Sequence, residues 1–160
     1  MLFRSLMLKP FIININLNNR LPDQYTENCF VATLNGANCR TENTLHDSMA
    51  ASLNFPDYYG RNLDALFDNL LDLSWISQDC IILYIQQFDL IMEDQPEKKY
   101  LKEAIILLLN DWCGAVTDEF AEGGDVEKKC YIIIDHCEGL EGMFKELEVP
   151  FDYLTKTNKI

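Results

Sequence analysis

Residues 62–85 read NLDALFDNLLDLSWISQDCIILYI, a helical pattern from Asn62 to Leu73 followed by the short apolar run Cys80 to Ile85. The run CIILYI has no polar alternation, so it reads as a strand covered on both faces, as strands of a parallel sheet are. Parallel neighbours need a crossover, and a helix ahead of such a strand supplies one. The same signature recurs outward in both directions. Cys29 to Leu34 (CFVATL) and Tyr131 to Ile134 (YIII) are further continuous apolar runs. Helical patterns lie between them: Thr44 to Leu53 with Leu45, Met49 and Leu53 at i, i+4 and i+8, a short Gln86 to Met92, and Tyr100 to Trp112. The sequence therefore predicts an α/β fold, a small parallel sheet of about three strands packed with helices.

Phe11 to Leu17 (FIININL) alternates Ile13, Ile15 and Leu17 with Asn14 and Asn16, the period of a half-exposed strand, and is expected as an extra N-terminal strand at a sheet edge. Gly36 follows the Cys29 strand, Pro56 separates two helices, Pro96 lies in the charged link EDQPEKK, and Gly123 and Gly124 mark the loop before the last strand. After Cys137 come a short helix over Glu141 to Glu148, a break at Pro150, and FDYL, whose apolar residues pack the tail down. One domain is expected over 1–160, with its core at about 29–137, an N-terminal extension over 1–28 and a docked C-terminal extension over 138–160.

The chain has 160 residues, 26 acidic against 13 basic, and a formal charge of -13. That balance argues against direct nucleic-acid or anionic-membrane binding, both of which need clustered Lys and Arg, and points to a basic partner. Solubility is the bland reading of the same charge. In Met1 to Lys9 the apolar run is broken by Arg4 and lacks a small-residue cleavage site before Pro10, so a cytoplasmic location is expected. No apolar stretch reaches the ~20 residues of a membrane span. Cys29, Cys80 and Cys130 each open an apolar run and no C-x-x-C pair exists, so the six cysteines are expected to be buried free thiols.

Within the helical pattern, Asp64, Asp68 and Asp72 recur every four residues and share one face. Like charges at that spacing oppose the helix by a few tenths of a kcal/mol per pair, and no Lys or Arg lies between Asn62 and Leu73 to relieve them. As a metal site the stripe is incomplete, since one helix face cannot wrap an ion. As a mimic of RNA phosphates it could enter the cationic cleft of a ribonuclease. Tyr58 and Tyr59 precede it as amphipathic rings of the interface-anchoring kind, Tyr58 expected outward and Tyr59 inward. Gly60 lets the backbone turn closely into the helix, and Asn62 is placed as its N-cap.

Catalytic signals are thin. His46, on the polar side of its helical pattern, reads as ordinary surface, and His136 has no partner at motif spacing. No phosphate loop, dinucleotide fingerprint, nucleophile elbow or zinc-protease motif occurs. Asp135 to Gly139 (DHCEG) gathers titratable groups after a strand but reads as a strand-to-helix turn. No enzymatic activity, cofactor or metal is expected.

The segment YYGRNLDALFD from Tyr58 to Asp68, led in by FPD, resembles the signature of the barstar family of ribonuclease inhibitors. Looser agreement runs from about Cys29 to Cys137. The resemblance implies a small parallel sheet flanked by helices and a protein that plugs the active site of a microbial ribonuclease. It implies a binding surface at Tyr58, Gly60, Asn62, Asp64, Phe67 and Asp68, to which the stripe adds Asp72. Asp68 would be the central anchor, standing where an RNA phosphate would. Phe67 occupies a position often held by tryptophan, and Asp72 with Leu73 positions that can be glycine and tryptophan, which changes the rim. Arg61 either pairs with a carboxylate or meets the partner, and a later acidic contact falls near Asp111. The expected protein is an immunity protein, a monomer when free, binding a basic ribonuclease or toxin domain one to one. The alternative is a barstar-fold module for another basic toxin or regulatory partner.

Overall fold

A computed structural model describes residues 9–16, 20–117 and 128–154. The leader before Lys9, Leu17, and the acidic loop 118–127 with Gly123 and Gly124 lie outside the described residues. Along the chain run β1 (Phe11–Asn14), α1 (Asp23–Thr26), β2 (Phe30–Asn35), α2 (Glu42–Leu53), α3 (Leu63–Asp72), β3 (Cys80–Gln86), α4 (Lys98–Thr117), β4 (Lys129–Asp135), α5 (Leu140–Glu146) and β5 (Phe151–Tyr153). Single 3-10 turns at Gly36–Asn38 and Phe88–Leu90 follow β2 and β3. The strands form one sheet in the order β2-β3-β4-β1-β5, and every pairing is parallel.

The continuous apolar runs explain the centre of this sheet. Ile81 to Ile85 in β3 and Cys130 to Ile134 in β4 are buried without interruption, because helices cover one face and a second apolar layer covers the other. On the helix side, Leu83, Ile85, Ile132 and Ile134 meet Leu66 and Leu70 of α3, Ile106, Leu109 and Trp112 of α4, and Phe144 of α5. On the other side, Ile82, Tyr84, Tyr131 and Ile133 are covered by Leu21, Tyr25 and Leu154.

Three expectations change. The sheet has five strands among the described residues, not about three, because FIIN and FDY both pair. The first strand is not at an edge: β1 lies between β4 and β5 and its four residues are buried. Asn14 misleads as a polar, outward residue. It is 1% exposed, donates from Nδ2 to Asp135 Oδ1 at 2.8 Å and accepts from Asn16 N at 3.1 Å, so its burial is compensated. The edge on the other flank is β2, read as covered on both faces but with Thr33 exposed.

The third change concerns the thiols. Cys29 and Cys80 form a disulfide, their Cα atoms 4.6 Å apart. The parallel register that pairs Phe30 with Ile81 brings residues 29 and 80 side by side, a proximity hidden by a sequence separation of 51. Cys39, Cys113 and Cys130 are buried thiols outside any disulfide, and Cys137 is a half-buried one. Burial pushes the Cys130 thiol up to about 12 and the Cys113 thiol up as well, so neither is a ready nucleophile.

Candidate functional site

The acidic stripe stands on α3. Asn62 is the N-cap: its Oδ1 accepts from Ala65 N at 2.8 Å, and its Nδ2 donates to Gly60 O at 3.3 Å. Removing the side chain leaves a helix donor unsatisfied, so Asn62→Ala should lower stability by about 1 kcal/mol, read from the urea midpoint. Leu66 and Leu70 turn into the core, which leaves Asp64, Asp68 and Asp72 exposed along the opposite face. None of the three forms an ion pair or hydrogen bond within the described residues. Phe67 is half-buried and packs against the core margin.

The far end of α3 alters the rim. Leu73 closes the helix in the left-handed conformation, φ 37°, and its side chain is 2% exposed, so it is withdrawn from the surface. Leu71 is the apolar residue displayed there, 43% exposed. Two long-range donors hold this end in place. Trp112 Nε1 donates to Leu70 O at 2.8 Å, and Lys128 Nζ donates to Leu73 O at 3.1 Å and to Ile76 O. A cation on the last carbonyls also favours the helix dipole. The reading of the sequence missed Lys128, whose only signal is a charge beside an acidic loop.

The double tyrosine divides as expected: Tyr58 is 80% exposed and Tyr59 is 9% exposed. Tyr59 packs edge-on to Phe55, and its hydroxyl hydrogen-bonds His46 Nδ1. His46 is thus not a surface residue. It is fully buried next to Leu45, widening the apolar face of α2 beyond the i, i+4, i+8 pattern, and its Nε2 has no hydrogen-bond partner among the described residues. The left-handed residue entering α3 is Arg61, φ 54°, not Gly60. Gly60 is needed for space, since a Cβ there would stand 3.2 Å from Ala65 Cβ. Arg61 pairs with Asp47 on α2 and reaches Asn43 O at 3.3 Å, so the cation beside the stripe is already engaged.

Burial pushes the Tyr59 hydroxyl up to about 12. Burial also holds His46 below its ordinary 6.5; Glu42 and Asp47 oppose that shift and Arg61 reinforces it. The unfolded chain therefore takes up the proton first. The contribution is fully present above pH 6.5 and is lost as pH falls below it, by at most about 1.4 kcal/mol per pH unit. Denaturant titrations from pH 7 to 5 should show this slope in the wild type and a flatter one in His46→Gln.

The DHCEG turn is occupied structurally. Asp135 Oδ1 accepts from Tyr84 Oη at 2.7 Å and Asn14 Nδ2 at 2.8 Å, tying three strands together, and His136 Nε2 lies 2.8 Å from Glu141. Asp111 is exposed on α4. Among the described residues no group of three or more His, Cys, Asp or Glu side chains is placed to hold a metal, and no helix is long and apolar enough to cross a membrane.

The parallel α/β sheet thus carries an exposed acidic helix directly after a Tyr-Tyr-Gly turn. Residues 29–122 match the family described as Barstar (barnase inhibitor). The chain belongs to the barstar family. It is 51% identical over 37 residues to the Bacillus subtilis (strain 168) protein named "Putative ribonuclease inhibitor YrdF", a match covering 23% of this chain and 41% of that protein. Among solved structures it is similar to the Aeropyrum pernix ORC2 protein in its ADPNP-ADP complexes. The TM-score is 0.53 at 15% identity, over 96% of this chain and 43% of that chain, a likeness of fold alone.

Proposed function

We propose that this protein is an immunity protein that binds a basic microbial ribonuclease one to one and blocks its active site with phosphate-mimicking carboxylates. The observation that carries the reading is the face of α3, where Asp64, Asp68 and Asp72 are exposed and, among the described residues, unpaired in a chain of the barstar family. A ribonuclease must present cations to hold RNA, and carboxylates on a rigid helix can replace the phosphates at those cations. Tyr58, Gly60, Asn62 and Phe67 complete the contact surface beside Asp64, Asp68 and Asp72. The protein acts by occupancy and not by catalysis, in the cytoplasm, as a monomer until it meets its target.

The experiment is titration of barnase and a panel of basic microbial ribonucleases with the purified chain, following RNA hydrolysis. Stoichiometric inhibition of one of them supports the reading, and inhibition of none overturns it. Complementary charge also steers the encounter, so the association rate should fall steeply as ionic strength rises while the dissociation rate changes little. Stopped-flow binding between 50 and 500 mM salt, roughly a threefold change in Debye length, reads this directly.

A second reading, a barstar-fold module for another basic toxin or regulatory partner, is favoured by the rim. Exposed Leu71 and inward Leu73 give the end of α3 a different surface from the glycine and tryptophan the family can carry there. Co-purification with proteins encoded beside it, followed by Asp68→Ala, separates the two.

A further inference from the structure

The turn that displays Tyr58 is fastened to α2 at two successive points. The Tyr59 hydroxyl bonds His46 Nδ1, and Arg61 reaches Asp47 and Asn43 O; His46, Asp47 and Asn43 all belong to α2. The turn is closed internally by Tyr59 N donating to Pro56 O at 3.0 Å. Apolar packing of the Tyr59 ring is already supplied by Phe55, whose ring centroid lies 4.8 Å away and which in turn meets Trp75 at 6.2 Å.

Against that apolar setting, His46 is an expensive choice. It is 0% exposed and its Nε2 is unpartnered among the described residues, a desolvation cost that an aliphatic side chain would not carry. What the imidazole adds is direction: packing alone lets a ring slide, whereas a hydrogen bond to the hydroxyl sets its depth and rotation. With Tyr59 held inward, its neighbour Tyr58 is left outward at 80% exposure, immediately before the acidic helix.

We propose that His46 is a positioning residue for the partner surface: through Tyr59 it fixes the turn from Pro56 to Gly60 against α2 and so aims Tyr58 beside Asp64 and Asp68. The proposal rests on reading that surface as the binding face, but the state of the turn is measurable without any partner.

The test is amide hydrogen exchange in Tyr59→Phe, which keeps the ring and deletes the bond, and in His46→Gln, whose amide still reaches the hydroxyl. Exchange at the Tyr59 amide should quicken about tenfold in Tyr59→Phe and less in His46→Gln, while Ile82 and Ile133 in the sheet keep wild-type rates. An unchanged Tyr59 amide in both variants overturns the proposal. So does an equal acceleration at Tyr59, Ile82 and Ile133, which would mark a merely general loss of stability. If Tyr59→Phe fails to fold, His46→Leu, which also deletes the bond, carries the same measurement.

A second arm measures binding to barnase. If the wild type binds and Tyr59→Phe binds as tightly with a loosened turn, His46 does not position the surface and the proposal falls. If the turn loosens in the variant but the wild type does not bind barnase or any ribonuclease tried, the positioning of the turn stands and the ribonuclease reading fails.

Discussion

Asp68→Ala should raise the dissociation constant for the target ribonuclease by roughly 30-fold to several-thousand-fold, leaving the melting temperature close to that of the wild type. The range corresponds to about 2 to 5 kcal/mol for truncating one member of a buried, hydrogen-bonded charge pair, a general magnitude that already includes the barnase-barstar pair. In the free protein the Asp68 carboxylate is exposed and has no partner within the described residues, so its removal costs the fold nothing. It also relieves like-charge repulsion with Asp64 and Asp72, each a turn away, which makes a slight gain in stability the expected sign. The loss appears only in the complex, where the nuclease's cations would be left desolvated and unpaired. Asp68→Asn, of nearly the same shape, should lose most of the same affinity if charge is what matters. Asp72→Ala, at the end of α3 beside Leu71, should cost least of the three. Inhibition titrations against the target read all of these, and equal potency of Asp68→Ala and wild type would remove the stripe from the mechanism.

The stripe and the tyrosines were legible because their information is local. Four-residue spacing puts carboxylates on one helix face wherever the helix ends up, and the alternation of Leu66 and Leu70 with Asp64 and Asp68 states which face is wet. The inner strands were legible for a related reason: residues buried on both sides leave no polar period, as in CIILYI and YIII. What could not be read depends on partners far along the chain. Asn14 looks solvent-facing until Asp135, 121 residues later, supplies its hydrogen bond. Cys29 finds Cys80 only through the register of two parallel strands. FDY becomes a strand because β1 offers it an edge, and His46 is drawn inward by a hydroxyl on the next segment. Each misreading treated a polar or short residue by its own character, when a distant group had already compensated its burial.

One such distant group supports the second large prediction. Trp112→Ala should destabilise the protein by about 4 kcal/mol or more, which for a chain of this size lowers the melting temperature by roughly 10 to 15 °C. Trp112 heads the fully buried side chains in volume and sits in the main core between α4 and the sheet. Its loss opens a cavity that helices on both sides cannot close without moving, and it strands the carbonyl of Leu70, to which Nε1 donates at 2.8 Å. Trp112→Phe separates the two contributions, keeping most of the ring and losing the donor, and should cost about 1 to 3 kcal/mol. The consequence reaches the surface, because Leu70 lies between Phe67 and Leu71 on the helix that carries Asp68. A variant that loosens this clamp should therefore lose affinity beyond what its unfolded fraction explains, through a stripe less rigidly presented. Denaturant melts of both variants, with inhibition measured at a temperature where each is folded, check this. An Ala variant melting within 3 °C of wild type would show that α3 is held by the rest of the core and that the indole is dispensable.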